Sequence, residues 1–113
     1  MTRLLAGDLL RLPVCANGIE IGHPVDVIVD PARNRALGLD VICHDESHRF
    51  LPLMAAVFEE DRITVESALI LLTEDQLAFY RARARSLREL MPMLENVVVE
   101  PDGTLELVSD DAA

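Results

Sequence analysis

Between Leu12 and Ser67 the chain runs in short stretches of alternating apolar and polar residues, each closed by a turn signal. A repeat of two places successive side chains on opposite faces of an extended backbone, so each stretch is a strand with one face to bury. Several short strands at this spacing bury those faces together only by curling into a barrel or stacking as a sandwich. The clearest stretch is Val25-Asp26-Val27-Ile28-Val29-Asp30. It is expected to show Val25, Val27 and Val29 on one face and Asp26, Ile28 and Asp30 on the other.

The punctuation supports this division. Leu12-Pro13-Val14-Cys15 reads as a strand, and Asn17-Gly18 supplies the positive φ of a tight turn before Ile19-Glu20-Ile21. Pro24 cannot donate to a ladder, which predicts a bulge or an edge position. Pro31 to Arg35 form a polar turn, after which Leu37, Leu39, Val41 and Cys43 are expected to line one face. His44 to His48 read as a hairpin tip, Phe50-Leu51-Pro52-Leu53 as a returning strand, Glu59-Glu60-Asp61 as a turn, and Ile63 and Val65 as part of another strand.

After Ser67 the period changes. Thr73 followed by Gln76 is a capping-box pattern, and Glu74 and Asp75 suit the positive end of a helix dipole. Leu77, Tyr80, Ala84, Leu87 and Met91 recur at spacings of three and four, which predicts one amphipathic helix stopped by Pro92. Val97 to Val108 then read as a terminal hairpin, and the last five residues as a frayed tail.

Composition removes several classes of function. The 113 residues suit a single core, and half of them are hydrophobic. The apolar stretch at the start is too short for a signal sequence, and Ala68 to Leu72 fall far below the roughly 20 residues that span a bilayer. A protein of the cytoplasm with no membrane insertion is expected, Cys15 and Cys43 remaining free thiols. Ten basic against twenty acidic residues leave a net charge of −10, all ten basic ones being arginine. That charge repels a phosphate backbone, and four aromatics without tryptophan give no stacking platform, so direct nucleic-acid binding is disfavoured.

The strand block resembles the PRC-barrel family, the small β-barrel of the reaction-centre H subunit's cytoplasmic part and of a bacterial ribosome-maturation factor. The likeness rests on Leu12-Pro13-Val14, Asn17-Gly18, Gly22 and Val25 through Pro31. It continues through Arg35-Ala36-Leu37-Gly38-Leu39, Phe50-Leu51-Pro52-Leu53 and Asp61 to Ser67. It covers roughly residues 9 to 68. It implies a mainly β protein with a PRC-barrel-like domain over 1–72. Residues 73–113, the amphipathic helix and terminal β-hairpin, extend it, packed on the barrel or on a dimer mate. The resemblance further implies a non-catalytic adaptor for a protein partner, since no active site belongs to the pattern. A factor that binds a ribosomal protein is the alternative, and a small-ligand or metal-binding regulator the second.

Candidate site residues follow from placement. Asp26, Asp30 and Arg35 are expected at exposed barrel turns, and Arg81, Arg85 and Arg88 share a helix face suited to an acidic partner. Leu77, Tyr80, Ala84, Leu87 and Met91 form the packing or homodimer face. His44, Asp45 and His48 have metal-capable chemistry but lack a second ligand pair, so neither metal nor cofactor is expected. Cys43 falls on an apolar face, and the acids Glu59 to Asp61 read as a solvated corner, so no catalytic group is expected.

Overall fold

The computed structural model describes residues 4–67, 70–90, 97–100 and 102–107. Strand β1 (Leu4–Leu5) leads directly into the single helical turn α1 (Ala6–Leu9), neither of which the apolar pattern had marked. Then come β2 (Val14–Ala16), β3 (Ile19–Asp30), β4 (Arg35–Cys43) and β5 (His48–Pro52). A 3-10 turn at Leu53–Ala55 precedes β6 (Val57–Phe58) and β7 (Ile63–Val65). The chain continues with α2 (Glu74–Arg83), β8 (Arg85–Ser86), α3 (Leu87–Leu90), β9 (Val97–Val99) and β10 (Leu105–Leu107).

The protein is mainly β. Six strands lie in the order β5-β4-β3-β2-β7-β6, and β8 pairs with β3 to make a seventh; β1, β9 and β10 form a separate three-stranded sheet. All pairs are antiparallel except β2 with β7. The expected closed barrel is not formed: among the described residues the ladders make two open sheets, joined by the single bridge of Arg35 to Thr104. Both sheets nevertheless contribute to one core, in which Val97 and Val99 meet Leu9, Val14, Val27, Leu39 and Ile63.

Positive φ at Asn17 (53°) and Gly18 (79°) makes the β2–β3 turn that the Asn-Gly pair announces. The interruption expected near Pro24 is a bulge one residue later. Pro24 faces Val41 and Asp26 faces Asp40, which leaves Val25 as the extra residue. A second irregularity leaves Leu37 unmatched on β4, between Ile28–Gly38 and Val29–Ala36. Ala36 therefore joins Leu39 and Val41 in the main core, and Leu37 packs on the opposite face instead of lining theirs.

That opposite face is the largest departure from the alternation. Asp26, Ile28, Asp40 and Phe50 are buried on it, because α2 and the segment after it lie across the sheet. The capping box forms as expected: Gln76 N–H donates to Thr73 Oγ1 and Thr73 N–H to Gln76 Oε1. However, the helix does not run to Met91. Ala84 is extended (φ −122°, ψ −167°), and Arg85 and Ser86 pair with Val29 and Ile28. The physical reason lies in β3. Its twelve residues outrun β2, which covers only Ile19 to Gly22, so the edge at Ile28 and Val29 needs another partner. Satisfying those backbone groups outweighs the small helix propensity of one more turn.

Among the described residues the terminal hairpin forms, β9 facing β10 with Gly103 at φ 96° between them, while Val108 and the expected tail lie outside the described residues. The hairpin is tied to the β3–β4 turn: Ala36 N–H donates to Gly103 O at 2.6 Å, and Asn34 Nδ2 to Leu105 O at 2.8 Å. Within the described residues, no helix is long and apolar enough to cross a membrane.

Candidate functional site

The polar residues singled out in the sequence divide into those that hold the fold and those that face solvent. Asp26 does not sit at an exposed turn. Its carboxylate is buried and accepts from Val27 N–H at 2.8 Å, from Arg88 N–H at 3.3 Å and from the Ser86 hydroxyl. Ser86 and Arg88 belong to the extended segment and the short helix after α2. The Asp26 carboxylate therefore latches β8 and α3 to β3. Arg88 adds a second tie, its Nε donating to Val25 O at 2.6 Å. Asp30 closes its own turn, accepting from Ala32 N–H and lying 3.6 Å from Arg33 Nε. Arg35 is exposed at the seam between the two sheets, opposite Asp30 and Thr104.

Asp26 and Arg88 therefore meet, whereas Asp30 and Arg35 face each other further along, where β3 turns into β4. Arg85 is exposed beside Asp26, Ser86 and Glu89 around a shallow hollow. The Arg81 side chain and Met91 lie outside the described residues. Of the helix stripe, Leu77, Ala84 and Leu87 are buried within this chain. Tyr80 stacks on Phe50 with ring centroids 4.3 Å apart and planes inclined by 9°.

The His44–His48 turn is built by its own backbone and by Asp45, which accepts from both Ser47 N–H and Ser47 Oγ. Those bonds hold the Asp45 carboxyl below its usual pKa. The three metal-capable residues diverge: His44 reaches Glu20 at 3.5 Å, Asp45 serves the turn, and His48 turns back to Asp40. No three His, Cys, Asp or Glu side chains among the described residues converge on a common point that could hold a metal ion.

Asp40 was not marked by the alternation, though its position directly across from Asp26 follows, counting from the β3–β4 turn, once the irregularity at Leu37 is known. It is fully buried, and His48 Nδ1 lies 2.9 Å from its Oδ1. Replacing His48 with Phe removes that donor from a buried acid and is expected to cost about 1–3 kcal/mol. Urea unfolding of the two proteins measures it, and an unchanged midpoint would show that the contact carries no stability.

Cys43 and Cys15 are free thiols. Burial raises the pKa of Cys43; Arg49 opposes the shift, Asp45 adds to it, and a hydrogen bond with Ser47 opposes it. Its alkylation by iodoacetamide is expected to be slower at pH 8 than that of an exposed cysteine in a peptide. The pH midpoint of the rate should also lie higher, because the thiolate is the reacting form. A midpoint at or below the peptide's would contradict the burial.

The open concave surface lies elsewhere, on the outer face of β6, β7 and β2. Val57 is opposite Thr64, and Thr64 is opposite Cys15, so the three form a row across adjacent strands. The alternate residues Ile63 and Val65 point into the core. Met54 and Ala55 of the 3-10 turn and the Asn17-Gly18 turn flank the row, enclosing a groove of about 540 Å³. Met54 is 100% exposed and Val57 45% exposed, whereas Cys15 is only 8% exposed at the groove's floor. Glu59, Arg62 and Glu66 bring charge to its lining, and Thr64 donates its hydroxyl hydrogen to Glu59. The groove joins residues 15–18 with 54–66, and only the parallel pairing of β2 with β7 brings them together; strand patterning alone carries no such signal.

No protein-family model matches the chain, and no curated protein matches it.

Proposed function

We propose that the protein is a non-catalytic docking module for a protein partner in the cytoplasm, built on a PRC-barrel-like scaffold. The observation that carries the reading is the groove: a fully exposed methionine and a half-exposed valine flank a concave surface on hydrogen-bonded strands. Single exposed apolar residues are ordinary, but apolar residues flanking a preformed hollow are a usual mark of an interaction site. The scaffold reading draws support from the core shared by the two sheets, and from the close backbone approaches at Gly22 and Gly38.

Affinity capture from the protein's own cells, with the photo-reactive residue benzoylphenylalanine at Met54, tests the proposal. A single cross-linked protein that persists at high salt is the expected result. Ribosomal particles released by salt would favour the assembly-factor alternative, and recovery of the protein alone at every salt concentration would overturn the docking reading.

A further inference from the structure

Resting on that reading, we propose that the groove takes an extended segment of the partner in which basic and apolar residues alternate. Two features of the site specify this chemistry. The first is its sign. Glu59 and Glu66 line the groove, and Glu60 and Asp61 are exposed at the adjoining turn. Arg62, the one basic residue of the lining, is paired with Asp61 at 3.2 Å, and that hydrogen bond raises its pKa. The lining therefore presents carboxylate to an incoming chain. A segment carrying arginine or lysine gains from this field, whereas a second copy of this protein, with net charge −10, is repelled.

The second feature is shape. β6 is the last strand of its sheet, and the row Val57, Thr64, Cys15 beneath the groove crosses three hydrogen-bonded strands whose outer face the lining follows. An extended segment alternates its side chains, so one set can reach Met54 and Val57 while the other meets Glu59 and Glu66. The hydrogen bond from Thr64 fixes Glu59 beside the row. This reduces the side-chain entropy lost on binding.

The test uses the full chain labelled with 15N and two six-residue peptides blocked at both ends, one alternating arginine with leucine and one glutamate with leucine. The basic peptide should shift the amide resonances of Cys15, Asn17, Gly18, Val57 and Thr64, and the acidic peptide should bind at least about tenfold more weakly. Glu59→Gln with Glu66→Gln should weaken the basic peptide about tenfold, whereas Asp8→Asn with Glu89→Gln, outside the groove, should change it less than about twofold. Equal binding of the two peptides, shifts centred elsewhere, equal losses in the two double variants, or no binding would each overturn the proposal. Its failure is separable from that of the docking reading. A salt-resistant partner cross-linking through benzoylphenylalanine at Phe79 but not at Met54 would remove the groove and keep the module, whereas the absence of any partner would remove both.

Discussion

Gly38→Ala will destabilise the protein by about 3 kcal/mol and loosen α2 from the sheet, at the upper end of ordinary overpacking. Gly38 lies on β4 beneath the Phe50 ring. A β-carbon there would stand 2.5 Å from Phe50 Cζ and inside contact distance of the Leu51 carbonyl oxygen. The carbonyl belongs to the neighbouring strand's ladder and cannot yield, so the ring must move. Phe50 is itself the platform on which Tyr80 of α2 stacks, and Leu77 and Ala84 pack into the same cluster. One methyl group therefore propagates from the sheet to the helix. The melting temperature should fall by roughly 10–15 °C for a domain of this size. Phe50→Leu alone should cost about 1–2 kcal/mol, but appreciably less in the Gly38→Ala background, because the smaller side chain relieves part of the clash. The Leu51 carbonyl remains in the way, so the rescue is partial. Purely additive losses in the double variant would show that the two positions are not coupled through the ring.

The same cluster shows where sequence pattern stops being informative. Alternation located the strands because each of Val27, Val29, Leu39 and Val41 answers to a single buried face. The Asn-Gly turn and the Thr73–Gln76 cap are local chemistry and could be read from neighbouring residues alone. The second face could not. Asp26 and Asp40 read as solvent-facing polar positions; Asp26 becomes a buried acid with fixed donors through Ser86 and Arg88, far along the chain, and Asp40 is buried with His48 of the neighbouring strand beside it. The break at Ala84 has the same origin: Ala84 and Leu87 fit a helix stripe, and the requirement that ends the helix sits on β3, at Ile28 and Val29. The bulges at Val25 and Leu37 also matter, since each changes which face the next residue occupies without altering the local apolar count. As for the candidate site, Met54, Val57 and Thr64 had no common motif, and the arginines that did form a pattern are separated by the helix break.

Asp26→Ala is the second large effect expected, and it separates an architectural role from a partner-binding one. The substitution deprives the Ser86 hydroxyl, Arg88 N–H and Val27 N–H of their acceptor beneath a largely closed surface. Leaving partly buried donors unmatched costs about 1–3 kcal/mol each where water cannot enter, and water reaches some of this site through the hollow beside Arg85 and Glu89. A total loss of about 2–4 kcal/mol follows. It should be localised. Hydrogen exchange is expected to accelerate most at Ser86 to Leu90, while amides of β9, held by β1 and β10, retain their relative protection. Asp26→Asn keeps an oxygen that can accept from the two backbone amides, and the Ser86 hydroxyl can rotate to accept from the new amide group. Its cost should be nearer 1 kcal/mol. If Asp26→Ala melts with the wild-type protein and leaves exchange at Ser86 to Leu90 unchanged, the latch between β3 and the segment after α2 carries no stability. If it destabilises as expected, any loss of partner binding in that variant is first a loss of structure. The groove over β6, β7 and β2 then has to be tested by substitutions at Val57, Glu59 and Glu66, which leave the latch intact.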